Sequence, residues 1–486
     1  MKRRSFLWGM AGLASLSQLP YLHALAAQGA SAPGFRLTDV TQQAGIQFQH
    51  NSGAFGGKFL PETLGSGCAF LDYDGDGWQD ILLINGADWP GHKKQRSTLR
   101  LYHNNHDGTF TDVTSRAGLD VELYGMGVAV GDYNNDGFPD ILITCVGQNR
   151  LFRNTGKGTF VDVTAASGIF DSSSKSLGVA LLDDDHDNWP DLLIANDTQP
   201  NKLYRNQRNG MFKEAAVEAG LAFSNEGKAR AGMGVDVADF ENSGSPGVAI
   251  TNFDNEMIGL YRLNGKIFED IAPRSGVGMA SKNSLGFGCA FLDINLDGWL
   301  DFAVANGHID ETVRNIRGNV GYAQPPQLFL NDSKGGFKDV APEIGTAFDQ
   351  PKVGRGLAYG DFDRDGDLDL LLTTNNGPAY LYRNDQLAGN RSIRFRLIGT
   401  KSNRDAIGAT VRAFSGDLTQ SRMVKGGSSY LSQSELPVTF GLEKRDKIDR
   451  VVIEWPSGRT EEYKNLAAGR GYVCTEGNGI APQSGY

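Results

Sequence analysis

Residues 72–80 read DYDGDGWQD and place aspartates at the first, third, fifth and ninth positions of one short stretch. DxDxDG puts hard oxygen ligands on alternating residues and a glycine where the backbone turns sharply, as the calcium loop of an EF-hand does. An EF-hand also needs a bidentate Glu at position twelve, on a helix that leaves the loop. Position twelve here is Leu83, inside the apolar run ILLI, so the loop is predicted to lead into a strand.

The same nine residues recur along the chain as DYNNDGFPD (132–140), DDDHDNWPD (183–191), DINLDGWLD (293–301) and DFDRDGDLD (361–369), with a degenerate copy, DFENSGSPG, at 239–247. Successive first aspartates lie 60, 51, 56, 54 and 68 residues apart, a period suited to one propeller blade. Each loop is preceded by a glycine-flanked apolar strand such as GVAVGD and followed by a second such as DILIT. LFRNTG and GTFVDVT then supply a third and a fourth. The last copy stops at AYLYRND (379–385) without its FxDVT strand, whereas the region after the N-terminal segment begins with FRLTDVTQQAGI, an FxDVT strand with no LYRN before it. Together the two halves complete one blade, which closes the ring and removes exposed sheet edges.

The expected fold is therefore all-β: a six-bladed propeller over 33–388, or a seven-bladed one if 46–65, 85–100 or 307–327 holds a cryptic blade. Alternating runs such as IRFRLIG, GATVRAF and RVVIEW predict a small β-sandwich over 389–477, followed by a tail at 478–486. Residues 1–32 read as an export signal: MKRRSF gives a basic start, the apolar stretch is too short to span a membrane, and HALAAQGASA offers small residues for cleavage. Arg3 and Arg4 resemble a twin-arginine signal, with Trp8 where Lys is often found, so Tat-like and Sec routes both stay open. No other segment is long and apolar enough to be a transmembrane helix, and the expected location is periplasmic or secreted.

Five loops have oxygen donors at all four positions: Asp72, Asp74, Asp76, Asp80; Asp132, Asn134, Asp136, Asp140; Asp183, Asp185, Asp187, Asp191; Asp293, Asn295, Asp297, Asp301; and Asp361, Asp363, Asp365, Asp369. Each predicts a Ca2+ site, giving about five, because all-oxygen donors suit calcium and no Cys or His spacing suggests zinc. The degenerate copy has Ser243 and Gly247 at positions five and nine and is expected to bind weakly or not at all. The net charge is −10, and −13 without Lys2, Arg3 and Arg4, which argues against nucleic acid as a partner. The four cysteines show neither a disulfide framework nor metal spacing and read as small apolar residues.

A glycine lies five residues ahead of every first aspartate: Gly67, Gly127, Gly178, Gly234, Gly288 and Gly356, consistent with close packing around a central channel. The face opposite the loops should carry Glu62, Arg230, His308 and Arg355, candidates for binding an anionic or carbohydrate ligand.

With LDYDGDGWQDILLING, LPETLGSG, ARAGMGVD, ANGHI, SNRDAIGATV, GGSSYLSQSE and VVIEWPSG in hand, the chain resembles the FG-GAP/VCBS-repeat proteins that end in an ASPIC/UnbV domain, the cartilage acidic protein family. The resemblance implies a secreted calcium-binding propeller similar to integrin α heads, with an extracellular protein or carbohydrate as partner, in adhesion, recognition or scaffolding. It carries no established reaction. The alternative is a carbohydrate lyase or dehydratase built on the face opposite the loops. Asn188, where the loop usually has Gly, and the degraded fourth copy depart from the family pattern.

Overall fold

The computed structural model describes residues 33–164, 176–187, 189–209 and 212–484, so the expected export signal and Asn188 lie outside the described residues. Among the described residues, six four-stranded antiparallel sheets follow one another along the chain, each built as four consecutive strands except the last. In that sheet Gly354–Gly360, Asp369–Thr374 and Tyr380–Gln386 take Phe35–Asp39 as their fourth strand, with Phe35 opposite Gln386 and Asp39 opposite Tyr382. The two ends of the propeller segment thus share a blade, as the split FxDVT motif requires. Segments 46–65, 85–99 and 307–326 carry no strand of their own among the described residues; they form long connections, with one-turn helices at Pro61–Leu64 and Val313–Ile316.

The first strands of the sheets face the axis. Cys68–Leu71 contacts Gly125–Gly131 on one side and Gly354–Gly360 on the other, so the first blade touches the sixth. Apolar side chains fill the wedges between sheets. Leu292, Ala303, Leu357, Leu370 and Tyr382, for example, pack with Phe35 and Leu37 between the fifth and sixth blades. Blades are numbered below from one, which holds Asp72, to six, which holds Asp361.

Two further sheets form the C-terminal sandwich. One runs Val438–Gly441, Ser392–Ile398, Arg470–Thr475, Gly479–Pro482; the other runs Leu418–Met423, Thr410–Ser415, Lys447–Glu454, Thr460–Ala467. Phe395, Val411, Phe440, Val451 and Ile453 are buried between them. The expected tail at 478–486 is corrected here: a tight turn through Gly477 and Gly479 returns the chain as the edge strand Gly479–Pro482, paired with Arg470–Thr475.

The two domains interlock. The stretch GGSSYLSQSE (426–435) leaves the sandwich and enters the propeller's central channel, where it hydrogen-bonds to the inner strands as an added strand would. Ser429 and Val235 exchange both backbone bonds, Leu431 O accepts from Val128 N–H, and Gln433 exchanges bonds with Cys68 and Phe70. Its tip, Tyr430, is fully buried, packs edge-on against Phe287 at 4.8 Å and donates its hydroxyl to Leu64 O at 3.1 Å. The repeated glycines make this possible. A Cβ on Gly67 would stand 1.6 Å from Leu431 O, and one on Gly356 would stand 2.5 Å from Ser432 Oγ. Both distances are far inside contact.

Candidate metal centres

Every loop is shaped first by its own hydrogen bonds. In blades one, two and five the first aspartate accepts from the backbone N–H of the sixth residue: Asp72 from Gly77 at 3.0 Å, Asp132 from Gly137 at 2.7 Å, Asp293 from Gly298 at 2.9 Å. That sixth residue sits at φ between 82° and 97° in the five blades where it is described, which is why glycine stands there. The degenerate fourth loop keeps the same cap, Asp239 accepting from Ser243 and Gly244. The turn therefore forms without the carboxylates at positions five and nine.

The ninth aspartate is a staple. Asp80 accepts from Tyr73 N–H within its loop at 3.1 Å and from Asn104 N–H on the third strand at 2.8 Å. Asp140, Asp191, Asp301 and Asp369 repeat the pair with Asn154, Asn206, Asn331 and Asn384. Each of these asparagines belongs to an LYRN-type strand, and four of them also donate across the blade boundary: Asn104 to Phe362 O, Asn154 to Tyr73 O, Asn331 to Phe240 O and Asn384 to Ile294 O. In blade four the staple is lost on both sides, since Gly247 replaces the aspartate and Leu263 the asparagine, and the Phe240 ring fills the vacated space. The recurring Asn was visible in the sequence as part of LYRN, but its role depends on a pairing that the variable loop lengths hide.

Carboxylate oxygens converge in the loops of blades one, three and six. Ligand atoms of Asp72, Asp74 and Asp80, of Asp183, Asp185 and Asp191, and of Asp361, Asp363 and Asp365 lie within 4.8 Å of one another. Asn134 and Asn295 turn an amide N–H toward Asp136 and Asp297 at 2.9 Å in blades two and five. Burial pushes the carboxyls upward: Asp80 to about 9, Asp191 to about 8, Asp293 to about 7 and Asp140 to about 6. In blade six position seven is a fifth carboxylate, Asp367, 3% exposed with its Oδ1 lacking any hydrogen-bond partner. Burial, and next the adjacent Asp365, push Asp367 up to about 10; burial and the neighbouring charges also push Asp369 well upward. The blade-six donor set, all oxygen and crowded with negative charge, fits a hard dication.

The sandwich sits on the loops. Arg396 reaches Asp72 at 3.1 Å, Asp405 accepts from Asp132 N–H, Gly441 N–H donates to Asp293 Oδ2 at 3.0 Å, and Arg394 lies 3.7 Å from Asp361. Arg394 also pairs with Glu435 at the base of the inserted segment, both side chains 5% exposed or less. A cavity of about 300 Å³ remains between this interface and blades three to six, walled by Val237, Phe291, Tyr359, Arg422 and Val438. Removing one partner of a buried pair leaves an uncompensated charge. Arg394→Met is therefore expected to lower unfolding stability by about 3 kcal/mol, with partial recovery in the Arg394→Met/Glu435→Leu double variant, read from denaturant midpoints.

The structure places Arg355 against His308 and against Thr63, the neighbour of Glu62, and gives each of the four residues expected on the opposite face partners of its own. Arg355 is fully buried, stacks over Phe287 at 4.0 Å and donates to the carbonyls of Thr63, Gly307, Gly354 and His308, which ties the 58–66 and 307–317 loops together. His308 is near it, buried, its Nδ1 accepting from Asp310 N–H. Glu62 accepts from Trp89 Nε1 at 2.9 Å, and Arg230 pairs with Asp270 at 3.1 Å.

Sequence reading also passed over two histidines that the fold brings to loop one. His103 Nδ1 lies 3.4 Å from both Asp74 and Asp80, and His106 Nε2 lies 2.7 Å from Asp76. The signal was LYHNNH, a histidine where the other copies have Arg or Leu, but only the third strand's register aims it at the loop.

Comparison with known proteins agrees with this architecture. A profile of FG-GAP-like repeats matches residues 72–143, 132–194, 183–250 and 306–372, half of the chain, and one described as ASPIC and UnbV matches 399–481. Cartilage acidic protein 1 of Homo sapiens is 28% identical over 295 residues, 57% of this chain and 40% of that protein. Its Xenopus tropicalis counterpart is 28% identical over 419 residues, 81% of this chain and 61% of that protein. The chain thus spans less than two thirds of the length of these relatives. Among solved structures, YCF48 bound to D1 peptide (TM-score 0.38, 9% identity, 65% of this chain and 90% of that one) and Trypanosoma rangeli sialidase (TM-score 0.35, 12% identity, 66% and 54%) are similar only at a level that carries no argument. On the repeats and the terminal domain, the chain belongs to the family of FG-GAP-like repeat proteins that end in an ASPIC and UnbV domain.

Proposed function

We propose that this is an exported calcium-binding propeller for extracellular or periplasmic recognition, adhesion or scaffolding, in which ions held by the Asp loops also fasten the C-terminal domain to the ring. The observation that carries the proposal is the blade-six loop. Five aspartates share one turn, and Asp367, buried between Asp365 and Asp369, has a carboxylate oxygen with no hydrogen-bond partner. Carboxylates buried together repel and lose hydration, and a bound dication reverses both penalties. Because Arg394, Arg396 and Gly441 of the sandwich contact the first aspartates of three loops, ion binding and domain docking act on the same atoms. Export is supported by the signal-like N-terminus, and an extracellular setting by relatives named for cartilage. Among the described residues no helix is long and apolar enough to cross a membrane. The proposed partner is an extracellular protein or carbohydrate.

Thermal unfolding with saturating calcium and again with chelator tests the metal assignment. Several filled sites stabilise by mass action, so chelation should lower Tm by about 10 °C or more. An unchanged Tm would overturn the assignment.

A further inference from the structure

Blade one differs from the others in what its third strand aims at the loop. The residue opposite the ninth aspartate is Arg153, Arg205, Leu330 and Arg383 in blades two, three, five and six, but His103 in blade one. Its Nδ1 is shut off from solvent and makes no hydrogen bond, although carboxylate oxygens of Asp74 and Asp80 stand 3.4 Å away. A separation of 3.4 Å with no hydrogen bond made is compatible with donors arranged around one metal ion. Two ligands of one tetrahedral first-row ion, with bonds of about 2.1 Å, are about 3.4 Å apart. Asp74, Asp76 and His103 place ligand atoms within 4.8 Å of one another, and Asp72, Asp74 and Asp80 do the same beside them. Asp72 adds an Oδ1 that is buried without a partner.

The surroundings hold the donors in place. His106 lies 2.7 Å from Asp76, its ring stacks on Trp78 at 4.6 Å, and the Arg364 guanidinium also lies over Trp78 at 4.1 Å. Such outer contacts orient ligands and tune their affinity.

We infer that the blade-one loop, Asp72, Asp74, Asp76 and Asp80 together with His103, is a mixed oxygen and nitrogen site for a first-row transition-metal dication, unlike the all-oxygen loops elsewhere in the ring. Imidazole favours zinc and its neighbours over calcium, which takes oxygen alone. The inference rests on the proposal that the loops bind cations, and its test separates the two.

The mature chain is equilibrated with millimolar Ca2+ and a small excess of Zn2+, dialysed against calcium buffer, and both metals are measured by elemental analysis; Co2+ replaces Zn2+ for a visible spectrum. The wild type should retain one zinc per chain, and Co2+ should show ligand-field bands. His103→Leu, which copies blade five, should lose zinc affinity by at least about tenfold with calcium at the other loops unchanged. Asp74→Asn, a second variant, should weaken zinc retention as well. Calcium bound without retained zinc, or zinc retained equally by His103→Leu, would overturn the inference and leave the calcium proposal standing. Neither metal bound would overturn both.

Discussion

Gly67→Ala is expected to unseat the C-terminal domain from the propeller. The new Cβ would stand 1.6 Å from Leu431 O, a backbone atom of the inserted segment, so no side-chain rotation relieves the clash. Nor can Gly67 retreat, because its N–H donates to Met126 O at 2.8 Å and its carbonyl accepts from Ile84 N–H. The inserted segment is equally pinned, bonded on either side of Leu431 to Val235 and to Cys68 and Phe70, with Ser429 and Leu431 themselves at positive φ. Overpacking of this kind, backbone against backbone, belongs to the rare substitutions that cost more than about 4 kcal/mol. The expected signs are early protease cleavage near residues 426–435, a larger radius of gyration by X-ray scattering and separate melting of the two domains. Gly318→Ala, whose Cβ would meet nothing within 4 Å, is the control and should behave as wild type. A Gly67→Ala protein that melts and scatters like the wild type would mean that the segment does not occupy the channel in solution.

The six glycines also show what the sequence could and could not reveal. Their constant offset from the Asp loops announced a crowded axis, because a repeated residue at a repeated place has a local cause. What crowds the axis was illegible. The occupant, GGSSYLSQSE, is polar, lacks periodicity and lies about 360 residues from Gly67, so nothing local joins the two. Loops and blade closure were legible for the opposite reason: DxDxDG carries its turn within nine residues, and the missing FxDVT strand at one end matched the spare strand at the other. The candidate ligand face was read from residue type alone. Burial then turned Arg355 into a tie between loops, since a guanidinium enclosed by carbonyls hydrogen-bonds to them. The face bearing the Asp loops proved to be the domain interface because residues of a second domain, Arg394, Arg396, Asp405 and Gly441, come to it from far along the chain.

Calcium should reverse the protein's response to alkali. Burial raises Asp80, Asp191 and Asp293 to about 9, 8 and 7, while in the unfolded chain each titrates near 4. Between those values the folded apoprotein binds more protons than the unfolded chain, so its stability falls as pH rises, by up to about 1.4 kcal/mol per pH unit for each protonated carboxyl. Buried His50, lowered to about 3, works against stability only below the usual histidine range, and Lys352, lowered by burial to about 8, opposes the carboxyls only above that value, so pH 6.5 to 8 isolates the carboxyls. In chelator Tm should therefore drop by about 10 °C or more across that window. With calcium the ion takes the place of the protons, the carboxylates are held ionised, and the same window should be flat or slightly rising. The exchange has a direct reading as well: calorimetric titration of calcium at pH 7.5 in buffers of different ionisation enthalpy should show protons released on binding. Parallel pH profiles with and without calcium, together with no proton release, would mean that calcium does not enter these loops, whatever else their aspartates do.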